Sequence, residues 1–347
     1  PATANGSWGG LLFSHPFDND NTDNTFRVNN TVKYLSPDFA GAQFGGTYSF
    51  SNSTNFANNR QYSVGGQYSN AGLLFAAAYL QANNPSATAS GAIGNGGDTS
   101  FVASRLRIFG GGVNYTFGPA TAGFVYTNAD VRDPTANGYL NQTTTGETIA
   151  PITGPLAGAA VTSIRFQNFE INGKYQLTPT LYVGAQYVYT LETYNTALGS
   201  ARPKIHSFGL MADYNLSSRT DVYIQGAFQK VGGDATGSSL DNAYVPGAAD
   251  LSGSSRQVVG RVGRQSVTAG DRVRLEADAG AVKAVAVRWR DGVGGAAALK
   301  VREGCVWDVS ESGAELTACY VVTVGQGTVS ALRFDLPAEL DPLAVAV

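Results

Sequence analysis

Residues 168–177 read Asn168-Phe169-Glu170-Ile171-Asn172-Gly173-Lys174-Tyr175-Gln176-Leu177. Every second residue from Phe169 to Leu177 is apolar or glycine. Every residue between them is polar or charged. A strand points successive side chains to opposite faces, so strict alternation means a strand with two different environments. A single such stretch occurs in many soluble sheets. Here the pattern recurs along the chain.

Residues 26–34 set Phe26, Val28, Val32 and Tyr34 against Arg27, Asn29, Thr31 and Lys33. Residues 42–50 set Phe44, Tyr48 and Phe50 against Gln43, Thr47 and Ser49. Residues 60–68, 206–216 and 220–229 repeat the pattern, with Asp213 and Asp221 on the polar sides. Segments 72–82, 103–117, 120–129, 180–191 and 256–263 complete eleven predicted strands, with weaker alternation in 72–82 and 103–117.

The connections are of two kinds. Short turns are predicted at Ser36-Pro37-Asp38, Asn70-Ala71-Gly72, Gly118-Pro119-Ala120, Thr178-Pro179-Thr180 and Ser217-Ser218-Arg219. Long connections rich in Asn, Gly, Ser and Thr fall between them, at 83–102, 130–161, 192–204 and 231–255, with 51–59 intermediate. Short turns on one rim and long loops on the other suit a transmembrane β-barrel. Aromatic residues gather near strand ends (Tyr34, Phe50, Tyr68, Phe117, Tyr175, Tyr187, Tyr189, Tyr214), as interfacial girdles do.

Bulk properties agree. No apolar run reaches the ~18–20 residues of a spanning helix, whereas a spanning strand needs only ~9–11, half of them polar. Mean hydropathy is accordingly near neutral, at −0.09. The net charge of −3 argues against nucleic-acid binding. A large soluble β-domain is the competing fold, but its core would be unusually wet.

Composition changes near residue 263. Residues 1–263 hold 14 Lys/Arg and 15 Asp/Glu, while the last 84 residues hold 9 and 11. All 23 Asn precede the break. The reading therefore divides the chain into 1–25, 26–263 and an unassigned extension, 264–347. Within the extension Arg272–Glu276, Val282–Arg290, Leu316–Val324 and Val329–Phe334 are β-prone. It reads either as a gene-level artefact, the preferred explanation, or as a small appended β-domain. Both cysteines, Cys305 and Cys319, lie there, and their pairing is left open. Pro1 in place of Met reads as the start of a fragment.

Catalysis finds little support. His15 and His206 are the only histidines. No Ser–His pair with an orienting third group is singled out. Gly110-Gly111-Gly112 sits inside a strand with no helix after it, so it is not a phosphate loop. No metal set or cofactor motif is read, and the chain is read as not an enzyme.

Several stretches carry a family resemblance. Ala4–Gly10, Phe13-Ser14-His15-Pro16-Phe17-Asp18-Asn19-Asp20 and Phe26-Arg27-Val28-Asn29-Asn30, followed by Gln167–Lys174, Leu181–Thr190 and Arg256–Gly263, resemble the general porins of β-proteobacteria, of the Burkholderia and Comamonas type. The likeness covers 1–263. It implies a homotrimer of sixteen-stranded barrels in the outer membrane of a Gram-negative bacterium. The bilayer, lipopolysaccharide and small hydrophilic solutes and ions are the implied partners. It implies that 1–25 is a constriction loop folded into the lumen. The eleven strands then correspond to strands six to sixteen, and the last one departs from the family pattern after Gly263.

Selectivity in such a pore comes from its width and its wall charges. Asp18, Asp20 and Asp23 are candidates on the loop, with turn hydrogen bonding as the alternative role. Arg27 is the first candidate for a basic wall charge, with a place at the extracellular rim as its alternative, and Lys33 is a second. Arg165, Glu170, Lys174, Asp213 and Asp221 are further candidates for lumen-facing charges. Trp8, Phe13 and Phe17 are expected to wedge the loop against the wall. The expected function is passive diffusion. The alternative is a non-conducting surface or adhesin β-protein acting through its long loops.

Overall fold

The computed structural model describes residues 10–22, 24–138, 140, 147–217, 220–246, 252–268, 271–278, 299–310 and 313–324. The chain forms two units, 1–283 and 284–347.

The first unit is built on one antiparallel sheet whose strands follow chain order. They are β1 (Thr31–Leu35), β2 (Ala42–Ser49), β3 (Arg60–Asn70), β4 (Leu73–Asn83), β5 (Arg105–Phe117) and β6 (Ala120–Arg132). There follow β7 (Val161–Gln176), β8 (Leu181–Thr196), β9 (Pro203–Ser217), β10 (Thr220–Gly233), β11 (Arg256–Thr268) and β12 (Asp271–Asp278). Ser200–Ala201 adds a short pairing on β8. The second unit contains a hairpin, β13 (Leu299–Ser310) with β14 (Gly313–Val324). Its register sets Cys305 opposite Ala318 and Cys319 opposite Gly304, so the cysteines are not cross-strand partners.

All eleven predicted strands are present, with four corrections. The first begins at Thr31, not at 26. Asn30 has a left-handed backbone (φ 54), which interrupts extension ahead of it. The strand expected at 168 begins at Val161. Its first, loop-side residues reverse the alternation because Ile164 and Phe166 are both buried on the inner face. The loop expected over 192–204 shrinks to 197–202. The eleventh strand does not stop at Gly263: it continues to Thr268 and pairs with β12, which comes from the compositionally distinct tail. The far side of β11 is therefore paired. Among the described residues the sheet edges are β1 and β12.

Connections alternate as expected. β3 passes to β4 through Ala71 and Gly72, both left-handed (φ 46 and 85), the backbone a tight two-residue hairpin requires. At Gly72 a Cβ would also lie 2.6 Å from the Thr116 carbonyl. Long connections on the opposite rim span 84–104, 133–160 and 234–255.

The sheet's two faces differ sharply. One is covered by residues 12–20 and by the long connections; we term it the inner face. The other exposes Val64, Phe75, Phe124, Ile171, Leu210 and Ile224. Ile171, at 59% exposure, and Ile224, at 58%, touch too little protein to count as core. A contiguous exposed apolar face of this kind marks a membrane or partner surface. In a transmembrane barrel it is the face that meets lipid.

The inner face has two zones. Toward the long connections it is apolar: Leu106, Ile108, Val131, Ile164 and Phe166 pack with Phe101, Leu140 and Leu240 from the connections. This explains the weak alternation of 103–117: at the loop end Leu106 and Ile108 face inward and Arg105 and Arg107 outward, whereas from Phe109 to Phe117 the apolar residues face outward. Toward the short turns the inner face is polar, carrying Lys174, Asp213, Gln225 and Tyr182.

Candidate functional site

The residues most able to define a passage are those of segment 10–27 and the strand positions beneath it. The segment opens with one helical turn, Gly10–Phe13. Its course is fixed by wall contacts. Gln186 on β8 donates through Nε2 to the Phe13 carbonyl (2.8 Å). The Phe13 ring lies over Gly209 of β9, where a Cβ would fall 2.2 Å from Cε1. Gly209 pairs with Gln186 and Ala227, both buried inner positions, so a glycine here admits the ring.

Phe17 and Asp18 both adopt left-handed backbones (φ 57 and 46). That conformation costs an L-residue roughly 1–2 kcal/mol. Compensation is visible: Phe17 is fully buried, stacked on Tyr244 at 6.1 Å between centroids. Burying a Phe side chain is worth ~1.5–3 kcal/mol. Asp18 accepts from the Thr25 hydroxyl, and Asn19 exchanges side-chain hydrogen bonds with Asn168 of β7.

His15 sits at the centre. Its Nδ1 is 2.5 Å from Asp20 Oδ2 and its Nε2 is 3.0 Å from Glu170 Oε2 on β7. All three side chains are buried. Two flanking carboxylates occupy both ring nitrogens as acceptors, which demands the doubly protonated imidazolium. Burial opposes that charge, but the field and hydrogen bonds of Asp20 and Glu170 outweigh it and raise the His15 pKa to about 9. For Asp20 burial likewise opposes ionisation. The His15 charge and the hydrogen bonds from His15, Thr127 and Thr22 prevail and lower its pKa to about 2. Thr127 of β6 and Asn168 also donate to Asp20.

The sign of the pH effect follows. His15 has a raised pKa, so its contribution is complete below about 6.5 and is lost as pH rises through about 9. Asp20 has a lowered pKa, so its contribution is complete above 3.8 and is lost as pH falls through about 2. The unfolding free energy of the detergent-folded chain is therefore expected to fall between pH 6.5 and 10, by on the order of a few kcal/mol, read from denaturant midpoints. His15→Gln should flatten that limb; a His15→Gln chain with the same alkaline fall would place its origin elsewhere.

The predicted site residues fall into three groups. Glu170, Lys174, Asp213 and Asp221 share the inner parity of their strands. Lys174 Nζ lies 3.9 Å over the Tyr182 ring, and the Tyr182 hydroxyl donates to Asp213 (2.9 Å). Lys33 pairs with Thr47, whose hydroxyl bonds Ser63, on the same inner face. Asp18 and Asp20 are buried and hold the segment by hydrogen bonds. Asp23 and Trp8 lie outside the described residues.

Two placements differ from the expectation. Arg27 is not on a strand. It is exposed ahead of β1, with Nη1 on the carbonyls of Asn24 (2.5 Å), Thr25 and Phe26. Arg165 is not on the inner face. It shares parity with Phe169 and Ile171 and reaches Asp130 on the outer side (3.5 Å). Its charge was read as a marker of the lumen. At the loop end of a strand, a charge on the lipid side costs only ~0–1 kcal/mol.

Other inner residues were missed: Asn168, Gln186, Thr190 and His15 itself. Alternation back and forth from Glu170 could have supplied Asn168. Nothing local announces that His15 meets a carboxylate 155 positions away. Among the described residues no group of three or more His, Cys, Asp or Glu side chains is arranged to hold a metal ion.

Comparison with known proteins adds the family. No curated protein sequence matches the chain. Among solved structures it is similar to the anion-selective porin of Comamonas acidovorans, at 19% identity and a TM-score of 0.46, over 77% of this chain and 64% of that one. It is also similar to OmpT, an outer membrane protein of Vibrio cholerae, at 16% identity and a TM-score of 0.43, over 71% and 64%. The chain thus spans less than two thirds of either structure's length. The profile of the Gram-negative porin family matches residues 2–234, well over half the sequence. With its antiparallel sheet, its apolar outer face and that match, the chain belongs to the Gram-negative porin family of outer-membrane β-barrels.

Proposed function

We propose that the sheet forms part of the wall of a water-filled pore for passive diffusion of small hydrophilic solutes and ions, narrowed by segment 10–27. The observation that carries this reading is the pinning of residues 12–20 across the polar part of the inner face by His15, Asn19 and the Phe13 carbonyl. A porin needs no chemistry from its wall. Fixed charges and a fixed width suffice. Lys33, Lys174, Asp213 and Asp221, all on the inner face, are the proposed wall charges. Arg27 is a weaker one, because its guanidinium is turned onto its own chain. A homotrimer is proposed on the family resemblance.

Reconstitution into planar bilayers tests the proposal. Ohmic conductance is expected, and a correctly folded chain with none would reject it. Lys174→Glu should move the reversal potential toward cation selectivity; an unchanged potential removes Lys174 from the pathway.

A non-conducting surface β-protein is the second reading, and one observation favours it. The loop-side inner zone is filled by an apolar cluster that includes Phe17, Phe101, Leu140 and Leu240. A silent bilayer with a folded chain would support that reading.

A further inference from the structure

We propose that β12, drawn from the compositionally distinct tail, closes the sheet into a twelve-stranded barrel by pairing along its free edge with β1 of the same chain. β1 and β12 are the two edges of the sheet. All five residues of β1 are exposed. Open sheet edges do not occur within the hydrocarbon of a bilayer, because nothing there satisfies bare N–H and C=O groups. The apolar outer face of this sheet puts its edges in that setting. Direction allows the pairing. Every strand is antiparallel to its neighbours in chain order. β1 and β11 therefore run parallel, whereas β1 and β12 run antiparallel. The tail strand restores the even count that an all-antiparallel barrel requires.

The register says which residues would meet. A row of cross-strand partners starts at Leu35, beside the short turn after β1. It passes through Ala78, Thr127 and Thr190 and reaches Val231 on β10. Val231 lies eleven positions from Thr220, the turn end of its strand. The row thus climbs from the turn rim to the loop rim, the stagger by which a tilted sheet closes. Carried round twelve strands at the same rate, the stagger is about twelve residues. A stagger equal to the strand number goes with a tilt of about 36°, inside the range of membrane barrels. Continued across β11, the row reaches the line of β12 six positions beyond Asp278. Stepping back by the stagger sets Leu35 opposite Arg272 and Thr31 opposite Glu276. All five residues of β1 then fall within Asp271–Asp278.

The faces agree. Val32 and Tyr34 are the outward residues of β1, at 63% and 58% exposure. Their partners in this register are Leu275 and Val273. Those positions lie opposite Arg264 and Ser266 of β11, on the side shared with outward Ile224. A slip of one residue would set outward positions against inward ones. A stagger two residues longer would carry Leu35 past the end of β12. The result differs from the sixteen strands that the family resemblance implies. The difference rests on β12, which lies outside the stretch matched to the family, residues 2–234. The inference completes the wall of the proposed pore but does not require that the wall conduct.

The test uses the full chain folded in detergent, with Cys305→Ser and Cys319→Ser as background. Val32→Cys is combined in turn with Val273→Cys, Leu275→Cys and Ala277→Cys, and each pair is oxidised. Residues directly opposite lie about 4.5 or 5.5 Å apart between Cα atoms, within the reach of a disulfide. Diagonal positions lie about 7–8 Å apart, beyond it. The pair with Leu275→Cys should lose its free thiols within the monomer, and the other two should keep most of theirs. No cross-link in a folded monomer overturns the proposal. So do equal cross-linking of all three pairs and cross-links found only between two chains. If the cysteine variants do not fold, hydrogen exchange on the unaltered chain gives the same decision. The amides of Thr31–Leu35 that point away from β2 should be protected, and free exchange there overturns the proposal. Bilayer conductance is a separate readout, so a silent barrel leaves the closure result standing.

Discussion

Replacing His15 by Ala is expected to destabilise the folded chain by about 3–5 kcal/mol, the range for breaking a buried ion pair by removing one partner. Asp20 and Glu170 would remain buried, each having lost the hydrogen bond it accepts from the ring. Asp20 would keep the hydroxyls of Thr22 and Thr127 and the Asn168 amide, and Glu170 would keep the Asn172 amide. Two like charges would then face one dry space. The cheapest escape is for segment 12–20 to leave the wall. Guanidinium midpoints in detergent give the stability loss. In a bilayer the same variant should show a larger and noisier conductance. Adding Glu170→Gln to His15→Ala should return part of the loss, because it removes one stranded charge. A His15→Ala chain with an unchanged midpoint would show that the histidine does not pin the segment.

The second large effect is steric. Gly209→Ala puts a methyl group 2.2 Å from Phe13 Cε1 and 2.3 Å from Cδ1. Phe13 is buried and its carbonyl is held by Gln186, so the ring cannot simply swing away. Overpacking of this kind costs ~1–3 kcal/mol. The expected readouts are a lower unfolding midpoint and altered conductance from a displaced segment. Phe13→Leu in the Gly209→Ala background should recover stability, since the smaller side chain vacates the ring position. If the pair behaves additively, the contact is not what fixes the segment.

Much of the wall was legible in the sequence. Alternation through Phe169–Leu177 assigned the two faces of β7, and the structure keeps that parity over the whole strand. The turn Asn70-Ala71-Gly72 marked a tight hairpin, because few residues tolerate two left-handed positions in a row. The failures have physical causes. Arg165 was placed by its charge, although counting back four residues from Phe169 assigns it to the outer face. At the end of a strand, a nearby carboxylate and head-group water make such a charge affordable. The strand is expected only from residue 168, because in 162–167 the apolar Ile164 and Phe166 turn inward against apolar connections and reverse the parity of 168–177. The tail looked foreign by composition, yet residues 264–268 continue β11 and 271–278 pair with it. Backbone hydrogen bonding does not require the Asn, Phe and Tyr that mark the other strands.

The sequence by itself determined which segments extend, which face of each is apolar, and where the chain turns short or long. Those properties depend on neighbours one to four residues apart. Only the tertiary structure decided what the acidic loop residues do. Asp18 and Asp20 read as charges bordering a passage or as turn hydrogen-bonders; folded, both are buried, Asp18 accepting from Thr25 within the segment and Asp20 from Thr127 and Asn168 of the wall. That change depends on partners 107 to 155 positions distant, Thr127 for Asp20 and Glu170 for His15. Burial removes the water that would otherwise solvate each charge, so its role is set by whichever groups the fold brings beside it.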